Sequence, residues 1–262
     1  MKLYARGRLK FKREELLTGD FVEVEKDAIT CVYPRKTRFS RPNIANLECL
    51  VIFISDYPSP DYLILDKLIL SACYADIECA IVVNKSDLGD CTYKYVLSEY
   101  PFIKNVFHVS SLSGAGINKL AEFVSGKSVA FAGQSAVGKT SVINALTGND
   151  FLTGGLSEKT ERGKHTTTYS RIIRTENFSV YDTPGFSELC VDITPCDAAA
   201  NFPPFDAYLG KCKFVDCLHA DEPGCEVKKA VDEGVIPRDR YERYKTIAKE
   251  IYLEYKNKYG KQ

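Results

Sequence analysis

The sequence predicts an α/β protein, with a parallel sheet covered by helices on both faces, a small β unit before it and a cysteine-bearing helical unit after it. Three observations lead there. From Cys49 to Asp182, short apolar runs alternate with amphipathic stretches, as strands joined by crossover helices do. The first forty residues instead alternate apolar and polar positions between turn signals. Beyond Thr194, three prolines (Pro195, Pro203, Pro204) lead into clustered cysteines and then two helical stretches.

In chain order, ARGRLKF, DFVEVEK and AITCVYP, punctuated by Thr18-Gly19-Asp20, predict a small antiparallel β unit. RKTRFSRPNIAN (35–46) is basic, contains proline, and reads as a linker into the α/β part. CLVIFIS (49–55), CAIVVN (79–84), NVFHVS (105–110) and SVAFAG (128–133) are short and rich in β-branched or aromatic residues, as strands buried on both faces are. The stretches 61–75, 91–100 and 116–124 read as helices, and SVINALTG (141–148) as another. TTTYSRIIRT and NFSVYDT predict a further pair of strands. The last helix begins near Arg238. Its Tyr241, Tyr244, Ile247, Ala248, Ile251 and Tyr255 form a stripe at helical spacing, the docking face for its own domain. The divisions expected are 1–41, 42–193 and 194–262.

At 262 residues the chain is longer than the usual single domain, and 45% hydrophobic residues supply ample core. The longest apolar run, Leu50 to Ile54, is far below the roughly 18 residues of a membrane span. The basic amino terminus lacks the apolar stretch of a secretory signal, so a cytoplasmic protein is expected. A formal net charge of zero conceals an uneven distribution. Residues 1–41 carry eleven Lys/Arg against six Asp/Glu, residues 226–262 ten against seven, and the middle fourteen against twenty-two. Basic ends around an acidic middle suit a polyanionic partner gripped by the ends.

The sharpest motif is GQSAVGKT, Gly133 to Thr140, which follows a predicted strand and opens a helix. Backbone N–H groups of such a loop and the helix N-terminus cradle phosphate oxygens. The candidate cradle is Gly133, Gln134, Ser135, Ala136, Val137, Gly138, Lys139, Thr140 and Ser141. Lys139 would neutralise the β- and γ-phosphates and Thr140 would ligate Mg²⁺. NKSD (Asn84, Lys85, Ser86, Asp87) ends another strand. A carboxylate at Asp87 can accept from both the ring N1–H and the exocyclic amine of guanine, a donor pair adenine lacks. SSLSG, with Ser110 and Ser111, follows the next strand and resembles the second base-recognition element of GTPases. DTPG brings Asp182, an acid at a strand end that can reach Mg²⁺ through water, and Gly185, whose N–H can meet a γ-phosphate. RGKHTTT (162–168) offers Thr166 or Thr167 as a further Mg²⁺ ligand, and the sequence does not choose between them.

These elements stand in an unusual order. NKSD and SSLSG come first, and the phosphate loop, the threonine stretch and DTPG follow, a circular permutation of the ordinary GTPase order. The closeness of termini in compact domains makes such a permutation feasible. With GQSAVGKT, RGKHTTT, DTPG and RPNIAN before the first strand, the chain from about Ala5 to Ile251 closely resembles the ribosome small-subunit-dependent (RsgA-type) GTPases. That resemblance implies an N-terminal OB-fold, a circularly permuted P-loop GTPase domain and a C-terminal helical zinc-binding domain. It also implies action late in maturation of the 30S subunit, with the subunit stimulating GTP hydrolysis. There are departures. Some forty residues are short for a five-stranded OB barrel, so a truncated OB-like β unit is expected. Ala136 stands where the family usually has glycine, and a positive φ there would be strained. Phe186 follows DTPG where many GTPases place a water-orienting glutamine, so intrinsic hydrolysis should be slow. His165 is then the candidate to orient or deprotonate water, against the alternative of an exposed loop histidine.

Cys212-x4-Cys217-x-His219-x5-Cys225 places three thiols and an imidazole within fourteen residues. Four such ligands suit a closed tetrahedral Zn²⁺ site, structural because no position remains for water, with one ion per chain. The family's zinc motif has the same spacing. The other seven cysteines read as small packing residues. The expectation is a monomeric, Mg²⁺-dependent GTPase binding GTP and GDP and docking on the 30S subunit and its rRNA, away from membranes. A GTP-dependent switch for a protein docked on the zinc module stays open, as does a zinc and RNA-binding module without turnover.

Overall fold

The computed structural model describes residues 4–5, 15–40, 42–147, 170–182 and 193–259. The most apolar run of the sequence, Cys49–Ser55 (β6), is buried at all seven positions and lies inside a six-stranded sheet. Glu78–Asn84 (β7) and Asn105–His108 (β8) extend the sheet on one side, in parallel. Ser128–Gly133 (β9) and Ser179–Asp182 (β11) extend it on the other, also in parallel. Arg171–Arg174 (β10) closes that edge as the antiparallel arm of a hairpin with β11.

The period-two alternation of β6 divides the core. Leu50, Ile52 and Ile54 face Tyr62–Tyr74 (α1) and Cys91–Glu99 (α2) through Leu65, Leu68, Ile69 and Val96. Cys49, Val51 and Phe53 face Ile117–Val124 (α3) and Lys139–Thr147 (α4) through Ile117, Leu120, Val124 and Val142. Parallel strands joined by these crossovers put the ends of β7, β8, β9 and β11 at one edge of the sheet, where ligands of open α/β sheets bind.

At the N-terminal side, Val22–Glu25 (β2) and Ala28–Val32 (β3) pair antiparallel, as expected, but Tyr4–Ala5 (β1) joins β3 in parallel. The stretch read as a linker is instead a hairpin of Arg38–Ser40 (β4) and Asn43–Ala45 (β5). Phe39 and Ile44 oppose each other across it, and Ile44, Ala45 and Leu47 are at most 1% exposed. Arg35, Lys36, Arg38 and Arg41 made the segment look solvated in sequence, because a three-residue strand shows only one or two of its core positions.

The C-terminal part is built on Pro195–Asn201 (α5), Glu226–Asp232 (α6) and Arg238–Tyr259 (α7), with a 3₁₀ turn at Phe205–Tyr208. Thr194 and Asp197 form a reciprocal capping box that starts α5. Phe202, Phe205, Val227, Tyr241, Tyr244, Ile247 and Ile251 form the core, joined by Leu70 of α1. Helix α1 is therefore covered by the sheet on one side and by this module on the other. Tyr255 of the predicted stripe is exposed, one turn beyond the last buried residue, Ile251. The cysteines also depart from expectation. Cys49 is buried and Cys73 and Cys79 partly so, but Cys31, Cys91 and Cys196 are exposed, and Cys190 lies outside the described residues. Among the described residues, no helix is long and apolar enough to cross a membrane.

Candidate nucleotide site and metal cluster

Three loops meet at the edge where β7, β8 and β9 end. Asn84, 1% exposed at the last position of β7, donates from Nδ2 to the Val137 carbonyl (2.9 Å) and accepts from the Ser111 N–H at 3.3 Å. One carboxamide thus ties NKSD to both the phosphate loop and SSLSG. Gly138 makes the approach possible, since a Cβ there would stand 2.4 Å from Asn84 Nδ2. Lys85, held at φ +66°, donates to the Tyr57 and Ala136 carbonyls (2.5 and 3.0 Å) and lies along the loop. Asp87 is exposed, and the buried Ser110 hydroxyl donates to its Oδ1 at 2.5 Å.

The phosphate loop leaves β9 at Gly133 and re-enters helix at Lys139. Val137 is fully buried, while Ser135 and Ala136 are exposed. Ala136 has φ +63°, so the strain expected for a non-glycine residue is present, worth roughly 1–2 kcal/mol. Lys139 Nζ donates to the Gly133 and Gln134 carbonyls (2.8 and 2.6 Å), and partial burial pulls its pKa down. Thr140 is half-buried and Ser141 exposed on the first turn of α4. Gln134 reaches the start of α1, accepting from the Asp61 N–H and donating to the Ser59 carbonyl, both at 3.1 Å. Asp182 is the last residue of β11, and β11 runs parallel beside β9, so Asp182 arrives at the same sheet edge as the loop. His165, Thr166, Thr167 and Gly185 lie outside the described residues.

In the C-terminal module, Cys212, Cys217, His219 and Cys225 converge with ligand atoms within 4.8 Å of one another. Each of the three Sγ atoms lies 3.5 Å from His219 Nδ1, and Cys212 Sγ is 4.0 Å from Cys225 Sγ. Tetrahedral Zn²⁺ with ordinary bond lengths requires about 3.6 Å for S to N and about 3.8 Å for S to S. The donor set therefore fits zinc in chemistry and in size. Burial, helped by the neighbouring thiols, pushes the Cys217 thiol up to about 12, so a cation is needed to hold it as a thiolate.

Sequence reading missed what holds this knuckle. Glu222 accepts from the Leu218 and Ala220 N–H groups (3.0 and 2.9 Å) and so shapes the turn around His219. Tyr244 and Tyr241 of α7 donate their hydroxyls to the carbonyls of Leu218 and Ala220. A second missed feature is Asp66, fully buried on α1. Its two oxygens take Arg240 Nε at 3.2 Å and Arg243 Nε at 2.5 Å, both from α7. The one signal available was a carboxylate inside DYLILDKLIL, at a position where the helix pattern requires burial.

With this geometry, comparison with known proteins is direct. A model of the RsgA GTPase family matches residues 32–192. The Moorella thermoacetica protein named small ribosomal subunit biogenesis GTPase RsgA is 38% identical over 257 residues, covering 94% of this chain and 88% of that one. The crystal structure of YjeQ from Thermotoga maritima superposes with a TM-score of 0.76 at 30% identity, over 94% of this chain and 88% of that one. YloQ, described as a circularly permuted GTPase, superposes with a TM-score of 0.74 at 28% identity, over 95% and 85%. Guanine-type element before phosphate loop, the metal knuckle after both, and likeness over nearly the whole length all agree: the chain belongs to the RsgA GTPase family.

Proposed function

We propose that this GTPase acts in late maturation of the small ribosomal subunit, binding the 30S particle and its rRNA, hydrolysing GTP on it and leaving with GDP. The observation that carries the nucleotide part is the Asn84 carboxamide, which locks the base element and the phosphate loop into one surface. Asp87 and Ser110 read guanine, with Ser111 beside them. The loop from Gly133 to Ser141 holds the phosphates, Lys139 neutralising them. Thr140 and Asp182 would hold Mg²⁺, together with Thr166 or Thr167, and Gly185 would meet the γ-phosphate. The ion, when bound, offsets the charge of the β- and γ-phosphate oxygens. His165 is proposed to act on water once the subunit is engaged.

The three divisions 1–41, 42–193 and 194–262 then have distinct tasks. The middle turns over nucleotide, and the basic stretches 1–41 and 226–262 contact rRNA phosphates, which makes association salt-sensitive. Zn²⁺ on Cys212, Cys217, His219 and Cys225 would be structural, tying the segment from Cys212 to Cys225 together. The name of the Moorella thermoacetica relative, a small ribosomal subunit biogenesis GTPase, supports the 30S assignment, and a monomer in the cytoplasm completes the reading. Turnover measured with and without saturating 30S subunits tests it. Strong stimulation is expected. Retained 30S binding with unchanged turnover would favour a binding module without turnover. Absence of 30S binding in every nucleotide state at low salt would refute it and turn attention to a protein docked on the zinc module.

A further inference from the structure

The N-terminal β unit, together with the β4–β5 hairpin that follows it, does more than flank the sheet: it grips one end of the β10–β11 hairpin. In that hairpin Arg171 opposes Asp182, so the open end is where the chain enters from the threonine stretch and leaves into DTPG. Both main contacts fall there. The Thr18 hydroxyl donates to the carbonyl of Ser170, the residue before β10, at 3.0 Å. The Tyr181 hydroxyl, on the residue before Asp182, donates to the Ala45 carbonyl at 2.6 Å. Tyr181 is 4% exposed, and burial pushes its phenol up to about 12, so it remains a donor at any working pH.

The receiving side is built to fit. Gly19 sits at φ +100°, and a Cβ there would lie 2.1 Å from the Ala45 carbonyl oxygen and 2.2 Å from the Tyr181 hydroxyl. Only glycine leaves that hydrogen bond its space. The turn itself is fixed from three directions. Ala45 N–H donates to the Thr18 carbonyl, and Asn46 Nδ2 donates to the Gly19 carbonyl, both at 2.9 Å. Asp20 accepts from the Leu17 N–H and from Arg35.

We propose that Tyr181 is a positioning residue for Asp182, anchored by the Thr18–Gly19 turn, so that the N-terminal unit sets where the Mg²⁺ aspartate stands. This rests on the reading of Asp182 given above. It gives the N-terminal unit a task at the nucleotide site: an event that moves the unit is passed to the open end of the hairpin by two hydrogen bonds and one close contact.

The test uses the full-length, zinc-loaded chain and Mg²⁺ itself as the probe. Tyr181→Phe keeps the ring in the core and deletes only the hydroxyl, and Thr18→Val deletes the other donor without changing shape. The Mg²⁺ concentration for half-maximal GTP hydrolysis should rise about threefold to tenfold in Tyr181→Phe, the range of one lost hydrogen bond. Thr18→Val should move it in the same direction. GDP affinity without Mg²⁺ should not move, since the base element is untouched. A role confined to stability would lower the melting temperature and leave the Mg²⁺ half-point in place. Wild-type turnover with an unshifted half-point in both variants overturns this inference alone. A wild-type chain with no Mg²⁺-dependent turnover overturns the GTPase mechanism and this inference with it.

Discussion

Replacing Asp66 should detach the C-terminal module from the nucleotide domain energetically, at a cost set by burial. Asp66 is 0% exposed and Arg240 only 1%, while Arg243 is 16% exposed at its side chain. The Arg240 guanidinium lies 4.2 Å from the Phe102 ring, 4.7 Å from Tyr100 and 5.0 Å from Phe202. Among the described residues, its Nη2 has no hydrogen-bond partner and Asp66 is its one charged acceptor. Burial pulls the Arg240 pKa down, against the pull of the carboxylate. Removing the carboxylate strands a buried cation, which costs about 3–5 kcal/mol. Against a typical total stability of about 5–15 kcal/mol, that is a large fraction. The same two helices supply a control. Lys67 and Glu250 also pair at 2.5 Å, but with side chains 26% and 48% exposed, and such a pair contributes at most about 1 kcal/mol. Urea unfolding followed by circular dichroism would compare Asp66→Asn with Glu250→Gln. If Asp66→Asn costs no more than Glu250→Gln, burial is not what makes this contact, and the reasoning fails. Substituting apolar residues at Asp66, Arg240 and Arg243 together should recover much of the loss, because no charge is left unpaired.

Three further outcomes are expected. Gly138→Ala drives a Cβ to 2.4 Å from Asn84 Nδ2 at φ +88°, so GTP affinity measured with a fluorescent analogue should fall at least tenfold, and unchanged affinity would show that the Asn84 contact is dispensable. Chelation of zinc should make Cys212, Cys217 and Cys225 titratable by a thiol reagent alongside the exposed Cys31, Cys91 and Cys196, and should lower the melting temperature; an unchanged melting curve after metal loss would contradict a structural ion. Burial acts to raise the pKa of Asp20, but its hydrogen bonds from Arg35 and the Leu17 N–H outweigh that and hold it below the usual carboxylate value. Its stabilising contribution is therefore complete above the unfolded pKa of about 4 and is lost as pH falls through the lower folded value. Asp20→Asn should be less stable at neutral pH and should converge with wild type in acid; parallel curves down to pH 2 would refute this.

Much of the molecule was legible before any coordinates. The run 49–55 has in sequence the bounds the structure shows, because charged residues, Glu48 and Asp56, flank a stretch buried on both faces. The phosphate loop, NKSD and the Cys/His spacing stand out in sequence because each is a local pattern, complete within fourteen positions of the chain. The hairpin at 38–45 was not, since its arms are three residues each and its flanking charges dominate the composition. The exposed cysteines were misread for a similar reason: a thiol carries no mark of which way its strand or helix turns it.

The elements of the nucleotide site, their permuted order, the metal donors and the alternation of strand and helix follow from short-range pattern, because each is set by residues within a turn or two of one another. Which elements meet is a different matter. Asp66 with Arg240 lies across 174 positions, Thr18 with Ser170 across 152 and Tyr181 with Ala45 across 136. Such pairs are chosen by how the sheet twists and which helix face is left to cover, and no local propensity encodes that. Chain-local chemistry therefore set what the protein can bind, and packing over distance set how its flanking units are joined to the binding site.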